Sequence, residues 1–210
     1  MNGKFISIEG IEGAGKSTQL AFIEAHLIRQ GKTVVVTREP GGTKLGEETR
    51  ALLLTPREEG MSVDAELLLM FAARAEHIAT VIKPALDRGD WVLSDRFVDA
   101  TFAYQGGGRK IDQARISQLA DWTLQGLQTD LTLLFDVSVE LGQARVISRK
   151  QDIDRFEQEK TDFFQRIRAC YLSRAAHEPQ RIKIVDASES IEAVQIQLKK
   201  LLDDQMKNCS

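Results

Sequence analysis

Residues 10–17 read Gly-Ile-Glu-Gly-Ala-Gly-Lys-Ser, a glycine followed after four residues by Gly-Lys-Ser. That spacing suits one chemistry above others, the cradling of a polyphosphate. Gly10, Gly13 and Gly15 permit backbone angles closed to other residues, so several N–H groups can converge on one anion. Lys16 would reach the β- and γ-phosphates and the Ser17 hydroxyl would ligate Mg²⁺. The flanks fit as well. Phe5-Ile6-Ser7-Ile8 reads as a buried strand, and Leu20, Ile23 and Leu27 recur at helical spacing just after the loop. A helix beginning there adds its N-terminal partial charge to the site. Gly10, Ile11, Glu12, Gly13, Ala14, Gly15, Lys16, Ser17 and Thr18 are therefore the expected nucleoside triphosphate site.

A second set of residues decides which phosphate chemistry follows. Asp95 ends the apolar run Trp91-Val92-Leu93-Ser94, where phosphate-loop proteins carry their magnesium carboxylate, although a turn or helix-cap aspartate would look the same. Arg38, Arg74, Arg96, Arg109, Arg149 and Arg155 fall near this loop or other glycine-rich segments. So many guanidinium groups suit a site where two phosphorylated molecules are held together. Glu12 puts a carboxylate inside an anion-binding loop, which is unfavourable unless it has a task or a cationic partner. An acceptor phosphate is already anionic at neutral pH, so positioning and charge neutralisation could suffice, and no general base is strongly indicated. His26, His77 and His177 are scattered, form no metal-ligand pattern and read as surface or helix-face residues.

Composition narrows the class further. The 210 residues are 42% hydrophobic and 28% charged with a net charge of −3, an ordinary soluble balance that fits one domain spanning 1–210. No basic block points to a nucleic-acid polymer, and no apolar run is long enough for a membrane span. Met1-Asn2-Gly3-Lys4 leads directly into the first strand, leaving no room for a signal peptide. Cys170 and Cys209 are read as reduced thiols, so a cytoplasmic protein is expected. The guanine-reading Asn-Lys-x-Asp motif of switch GTPases is missing, since the only asparagines are Asn2 and Asn208. Strands are expected near 4–9, 33–37, 91–95, 131–137 and 181–185. Helices are expected near 16–30, 45–54, 62–88, 112–126, 138–150, 155–177 and 188–206, with glycine loops at 41–42 and 106–108. Apolar strands alternating with helices predict an α/β fold, a doubly wound parallel sheet of about five strands with helices on both faces.

Five segments in order carry a resemblance. They are Glu9-Gly10-x-Glu12-Gly13-Ala14-Gly15-Lys16-Ser17-Thr18-Gln19, Thr37-Arg38-Glu39-Pro40-Gly41-Gly42-Thr43, Asp95-Arg96-Phe97, Ala103-Tyr104-Gln105-Gly106-Gly107-Gly108-Arg109 and Asp154-Arg155-Phe156-Glu157. Together they resemble the bacterial thymidylate kinases, P-loop nucleoside monophosphate kinases. The resemblance implies transfer of the γ-phosphoryl group of ATP to dTMP with Mg²⁺, by a homodimer. It implies that Arg96 clamps the dTMP phosphate with Arg38 near it, and that Glu12 accepts a hydrogen bond from the sugar 3′-hydroxyl. Arg74 would hydrogen-bond a base carbonyl, and an aromatic ring would stack on the thymine. Phe71 lies three residues before Arg74 where the family pattern has four, so either Phe71 or Met70 lines the base. Thr101, Tyr104 and Gln105 would reach base and sugar, Tyr104 crowding a ribose 2′-hydroxyl. Glu39 could pair with an arginine or join the magnesium shell. A segment near 142–160 corresponds to a lid that brings an arginine to the transferred phosphoryl group, Arg149 first and Arg155 second. Arg96→Ala is expected to weaken dTMP binding far more than ATP binding, and Arg149→Ala to lower turnover with both affinities nearly unchanged. Equilibrium titrations beside steady-state rates check both, and intact dTMP affinity in the Arg96 variant would remove that residue from the acceptor site.

Overall fold

The computed structural model describes residues 3–148 and 155–207. Strands β1 (Phe5–Glu9), β2 (Val34–Arg38), β3 (Trp91–Asp95), β4 (Leu131–Asp136) and β5 (Ile182–Asp186) form one sheet in the order β2-β3-β1-β4-β5. Every pairing is parallel. The strands read as apolar runs because both faces are covered, and Phe5, Ile6, Ile8, Leu93 and Leu133 are fully buried. Register has a direct consequence for chemistry. Ile8 and Arg38 both pair with Asp95, so β1, β2 and β3 end at one level. From β1 the chain runs to one side of the sheet and then crosses to β4 on the other, which opens a crevice at the carboxyl edge.

Helix α1 (Lys16–Arg29) follows the glycine loop, and α2 (Lys44–Leu54) starts at Thr43, whose Oγ1 accepts from the Gly46 amide. Helix α3 (Val63–His77), capped by Ser62, continues through a π-helical turn at Ile78–Ile82 into α4 (Lys83–Asp87). The remaining helices are α5 (Val98–Thr101), α6 (Gln113–Leu124), α7 (Val139–Ser148), α8 (Thr161–His177) and α9 (Ile191–Lys207).

Three expectations need correction. The glycines at 106–108 lie in a π-helical stretch, Phe102–Gly108, rather than a loop. They are small because α8 packs there: a Cβ on Gly108 would sit 2.5 Å from the Phe163 ring, and one on Gly107 2.8 Å from Cys170 Cβ. The helix expected from 155 starts only at Thr161, since residues 155–160 are held by tertiary contacts, the Arg155 amide donating to the Leu54 carbonyl. His26 and His77 are buried, 3% and 0% exposed, because each has a hydrogen-bonding partner inside the fold.

The glycine loop is also a packing surface. A Cβ on Gly13 would lie 2.1 Å from the Gly142 carbonyl oxygen, and one on Gly142 only 2.7 Å from that of Glu12. Helix α7 thus touches the loop backbone to backbone. Gly142→Ala gains about 1 kcal/mol of helix propensity, yet the clash with the main chain should outweigh it. The melting midpoint is expected to fall by about 3 °C. A midpoint that stays level or rises in a thermal scan would contradict this contact.

Candidate active site

The crevice holds a cleft of about 490 Å³ lined by Glu12–Thr18 of the loop, by Arg38 and Glu39 after β2, and by Asp95 and Arg96 at the end of β3. A second pocket of about 370 Å³ shares Ala14, Gly15, Thr18 and Arg145 with it and runs on to Gln19 and Ile191. Gly10, Gly13 and Gly15 all take positive φ, as an anion-binding loop requires. Lys16 curls back so that Nζ donates to the Gly10 and Ile11 carbonyls, 2.9 Å each. Burial, with Arg96 nearby, lowers its pKa to about 8. Such a cation gains from any anion placed beside it. Gly10 and Ile11 themselves do not line the cleft; they supply these carbonyls, and the Ile11 side chain is core.

Arg96 is the centre of the second half. Its φ is 71°, a left-handed conformation that costs about 1–3 kcal/mol for a residue with a side chain. Two hydrogen bonds hold it there, from its amide to the Ile8 carbonyl and from Ser94 Oγ to its own carbonyl. The guanidinium then lies 4.6 Å from the centre of the Tyr104 ring and donates to Glu12 Oε1 at 2.9 Å. Tyr104 donates to the same carboxylate at 2.7 Å, and burial keeps its hydroxyl protonated. Glu12 therefore has the cationic partner that its place in the loop demands.

Arg74 is 2% exposed and almost fully engaged. Nε donates to Glu39 Oε2 at 2.7 Å, and Nη2 to Thr101 Oγ1 at 2.9 Å and the Phe97 carbonyl at 3.3 Å. Only Nη1 lacks a protein partner among the described residues, and Arg74 lines the cleft. Glu39 thus pairs with an arginine, the first of the two roles the sequence left open. Thr101, Tyr104 and Gln105 line the same compartment, Gln105 donating to Glu66 at 2.7 Å. Arg38 lines it too, held by Glu47 at 2.8 Å. Asp95 Oδ1 is buried without a protein partner among the described residues, and Ser17 lines the same cleft. A carboxylate and a hydroxyl beside a phosphate site fit Mg²⁺, which takes few protein ligands.

Two assignments from the sequence fall elsewhere. Phe71 is core and does not line the cleft; its ring packs 5.0 Å from the Arg74 guanidinium, and Met70 lines the cleft instead. The phase of α3 turns position 70 to the cleft and 71 to the sheet. Arg155 is not in the cleft either. It donates to the Leu53 carbonyl at 2.8 Å and pairs with Glu66 at 2.7 Å, because a carboxylate 1% exposed needs a cation. Arg109 serves the same Glu66. Arg149 lies outside the described residues. Sequence reasoning missed Arg50, Phe156 and Glu157 as cleft residues, Arg145 as a donor to the Ala187 carbonyl, and the buried Glu9. The resemblance motif contained Phe156, Glu157 and Glu9; Arg50 had no signal at all.

A triphosphate cradle opening directly onto a cation-lined second compartment is the arrangement of phosphotransferases that act between two phosphorylated small molecules. The sequence profile described as thymidylate kinase matches residues 8–198. The thymidylate kinase of Janthinobacterium sp. (strain Marseille) is 58% identical over 95% of this chain and 96% of that protein. That of Pseudomonas putida F1 is 54% identical over 100% and 99%. The crystal structure of thymidylate kinase from Ehrlichia chaffeensis superposes with a TM-score of 0.77 at 34% identity, covering 96% of this chain and 99% of the other. The chain belongs to the thymidylate kinase family and is an ATP:dTMP phosphotransferase.

Glu9 lies beneath this site, accepting from the Phe97 amide and the Tyr171 hydroxyl, 2.7 Å each. Burial, helped by Asp99, raises its pKa from 4.5 to about 8. A group raised on folding favours the fold fully below its unfolded pKa and loses that contribution as pH climbs through the folded value. Between about pH 4.5 and 8 Glu9 should therefore make stability decline. In Glu9→Gln that decline should disappear, so the melting midpoint of the variant should gain on the unaltered protein from pH 5 to pH 8.5. Parallel curves across the range would contradict the assignment.

Proposed function

We propose that dTMP occupies the compartment between Arg38, Arg74, Arg96 and Tyr104, with the ATP phosphates along Glu12–Thr18. The observation that carries this is the Glu12 carboxylate, which belongs to the donor loop and is bonded to both Arg96 and Tyr104 of the acceptor side. Donor and acceptor sites are thereby held at one fixed separation. Arg96 and Arg38 neutralise the acceptor phosphate, Lys16 the donor phosphates, and proximity with charge neutralisation drives the transfer. Arg74 only donates, so its Nη1 takes a carbonyl of thymine and disfavours the amino group of cytosine. Met70 packs on the base, Thr101 and Gln105 border it, and Tyr104 leaves no room for a ribose 2′-hydroxyl. The adenine of ATP lies toward the second pocket, beside Arg145.

Ser17 and Asp95 would hold Mg²⁺, whose chemistry is to neutralise charge on the β- and γ-phosphates. Residues 1–210 act as one kinase unit with the segment near 142–160 as its lid, and Arg149 is our candidate for the transferred phosphoryl group. The enzyme works as a cytoplasmic homodimer. No described helix is long and apolar enough to cross a membrane, and the mutually packed helices α3 and α6 expose Leu68 and Trp122 for subunit contact.

The test is ADP release from Mg-ATP with dTMP, dUMP, AMP, CMP, GMP, UMP and thymidine in turn. Strong turnover with dTMP, with dUMP well behind and the others near background, is expected. Turnover with a different monophosphate would overturn the base-side assignment, and silence with every acceptor would indicate a nucleotide-dependent switch instead.

A further inference from the structure

His77, the last residue of α3, is fully buried and has no place in the transfer chemistry. Its ring nevertheless bridges two polar groups. Nδ1 lies 2.9 Å from Glu39 Oε1, and Nε2 lies 2.6 Å from Thr37 Oγ1. A carboxylate only accepts, so Nδ1 carries the proton in this contact, and in the neutral ring Nε2 accepts from the threonine hydroxyl. The other oxygen of Glu39 receives Nε of Arg74 at 2.7 Å. The four groups form a buried chain, Thr37 to His77 to Glu39 to Arg74, ending at Arg74 Nη1, a buried guanidinium nitrogen without a protein partner among the described residues.

We propose that His77 is a positioning residue for recognition of the acceptor base: it fixes the plane of Glu39, and Glu39 fixes the guanidinium of Arg74. The reason is torsional. The terminal torsion of a glutamate is broad and soft, so one contact to Arg74 leaves the carboxylate able to swing and carry the arginine with it. A donor on the opposite oxygen removes that freedom. The surrounding backbone is built around the same pair. Gly42 has φ 75°, and a Cβ there would lie 2.4 Å from Thr37 Oγ1 and 2.7 Å from His77 Nε2. The second glycine of the Thr-Arg-Glu-Pro-Gly-Gly-Thr segment is thus needed both for its left-handed backbone and for the approach of the histidine.

This inference rests on the reading that Arg74 contacts a base carbonyl, and the experiment separates the two. Equilibrium titration with dTMP, dCMP and ATP is run on His77→Leu, His77→Asn and Arg74→Gln. Losing a hydrogen bond to a charged group should weaken dTMP binding in His77→Leu by about tenfold. The preference for dTMP over dCMP should shrink with it, while ATP affinity stays within about twofold. His77→Asn places an amide N–H near the position of Nδ1 and should recover most of both losses. Unchanged dTMP affinity and preference in His77→Leu would overturn the proposal. Equal weakening of dTMP and ATP, without recovery in His77→Asn, would overturn it too, because the ring would then serve packing alone. Unchanged dTMP affinity in Arg74→Gln would overturn the base-side reading itself, and this inference with it.

Discussion

Lys16 and Arg96 share one cleft, each largely withdrawn from water, and burying two cations side by side is tolerable only with carboxylates close by. This constraint explains most of the polar architecture at the carboxyl edge of the sheet. Glu12 answers Arg96 directly. Asp95 and Glu12 support Lys16, opposing the burial that lowers its pKa. Glu9, deeper still, shares its surroundings with Asp99, which the guanidiniums of Arg174 and Arg181 hold ionised against the effect of burial. The parallel register makes this possible, because it ends β1, β2 and β3 at one level and so concentrates their last residues in one place. Two phosphorylated substrates would add the missing negative charge, and the site is poised for them by electrostatics before any motion occurs.

A separate balance governs helix α3, which carries one buried carboxylate, Glu66, and meets another, Glu39. Glu66 collects Gln105, Arg109 and Arg155, and Glu39 collects Arg74 and His77. Each carboxylate serves as a node that ties α3 to a segment distant in sequence. Because burying a charge is tolerable only when its hydrogen bonds are complete, these nodes allow few arrangements of the side chains around them. The surface that we propose faces thymine is therefore rigid where its polar groups lie. It is softer where Met70, with its unbranched thioether, lines the wall.

The parts of this protein legible in its sequence are those where one residue type is physically compelled. The loop glycines are compelled by positive φ and the strands by burial on both faces. Strand limits agree with the sequence reading to within a residue. Phe71 and Met70 could not be separated, since both lie at helical spacings that meet Arg74, and only the rotation of α3 decides between them. Arg155 was drawn toward the phosphates by its neighbours in the motif, while its actual partner, Glu66, lies 89 positions earlier and nothing local announces it. The buried His77 was unreadable for the same reason: a histidine among alanines looks like an exposed helix residue until Glu39 is brought beneath it. Position 106–108 shows the opposite error, glycines that mark a close helix contact rather than a turn.

The left-handed backbone of Arg96 has a consequence for how this enzyme can change over generations. Glycine at that position would relax the main chain and delete the cation, and asparagine would ease the strain only to lose the charge and the reach. Lysine would keep a charge while surrendering the flat, forked donor that meets Glu12 and the face that stacks on Tyr104. No single replacement satisfies both the torsion and the guanidinium chemistry. Any substitution here therefore trades one requirement against the other, and the strain is tolerated because the surrounding hydrogen bonds hold the backbone in place.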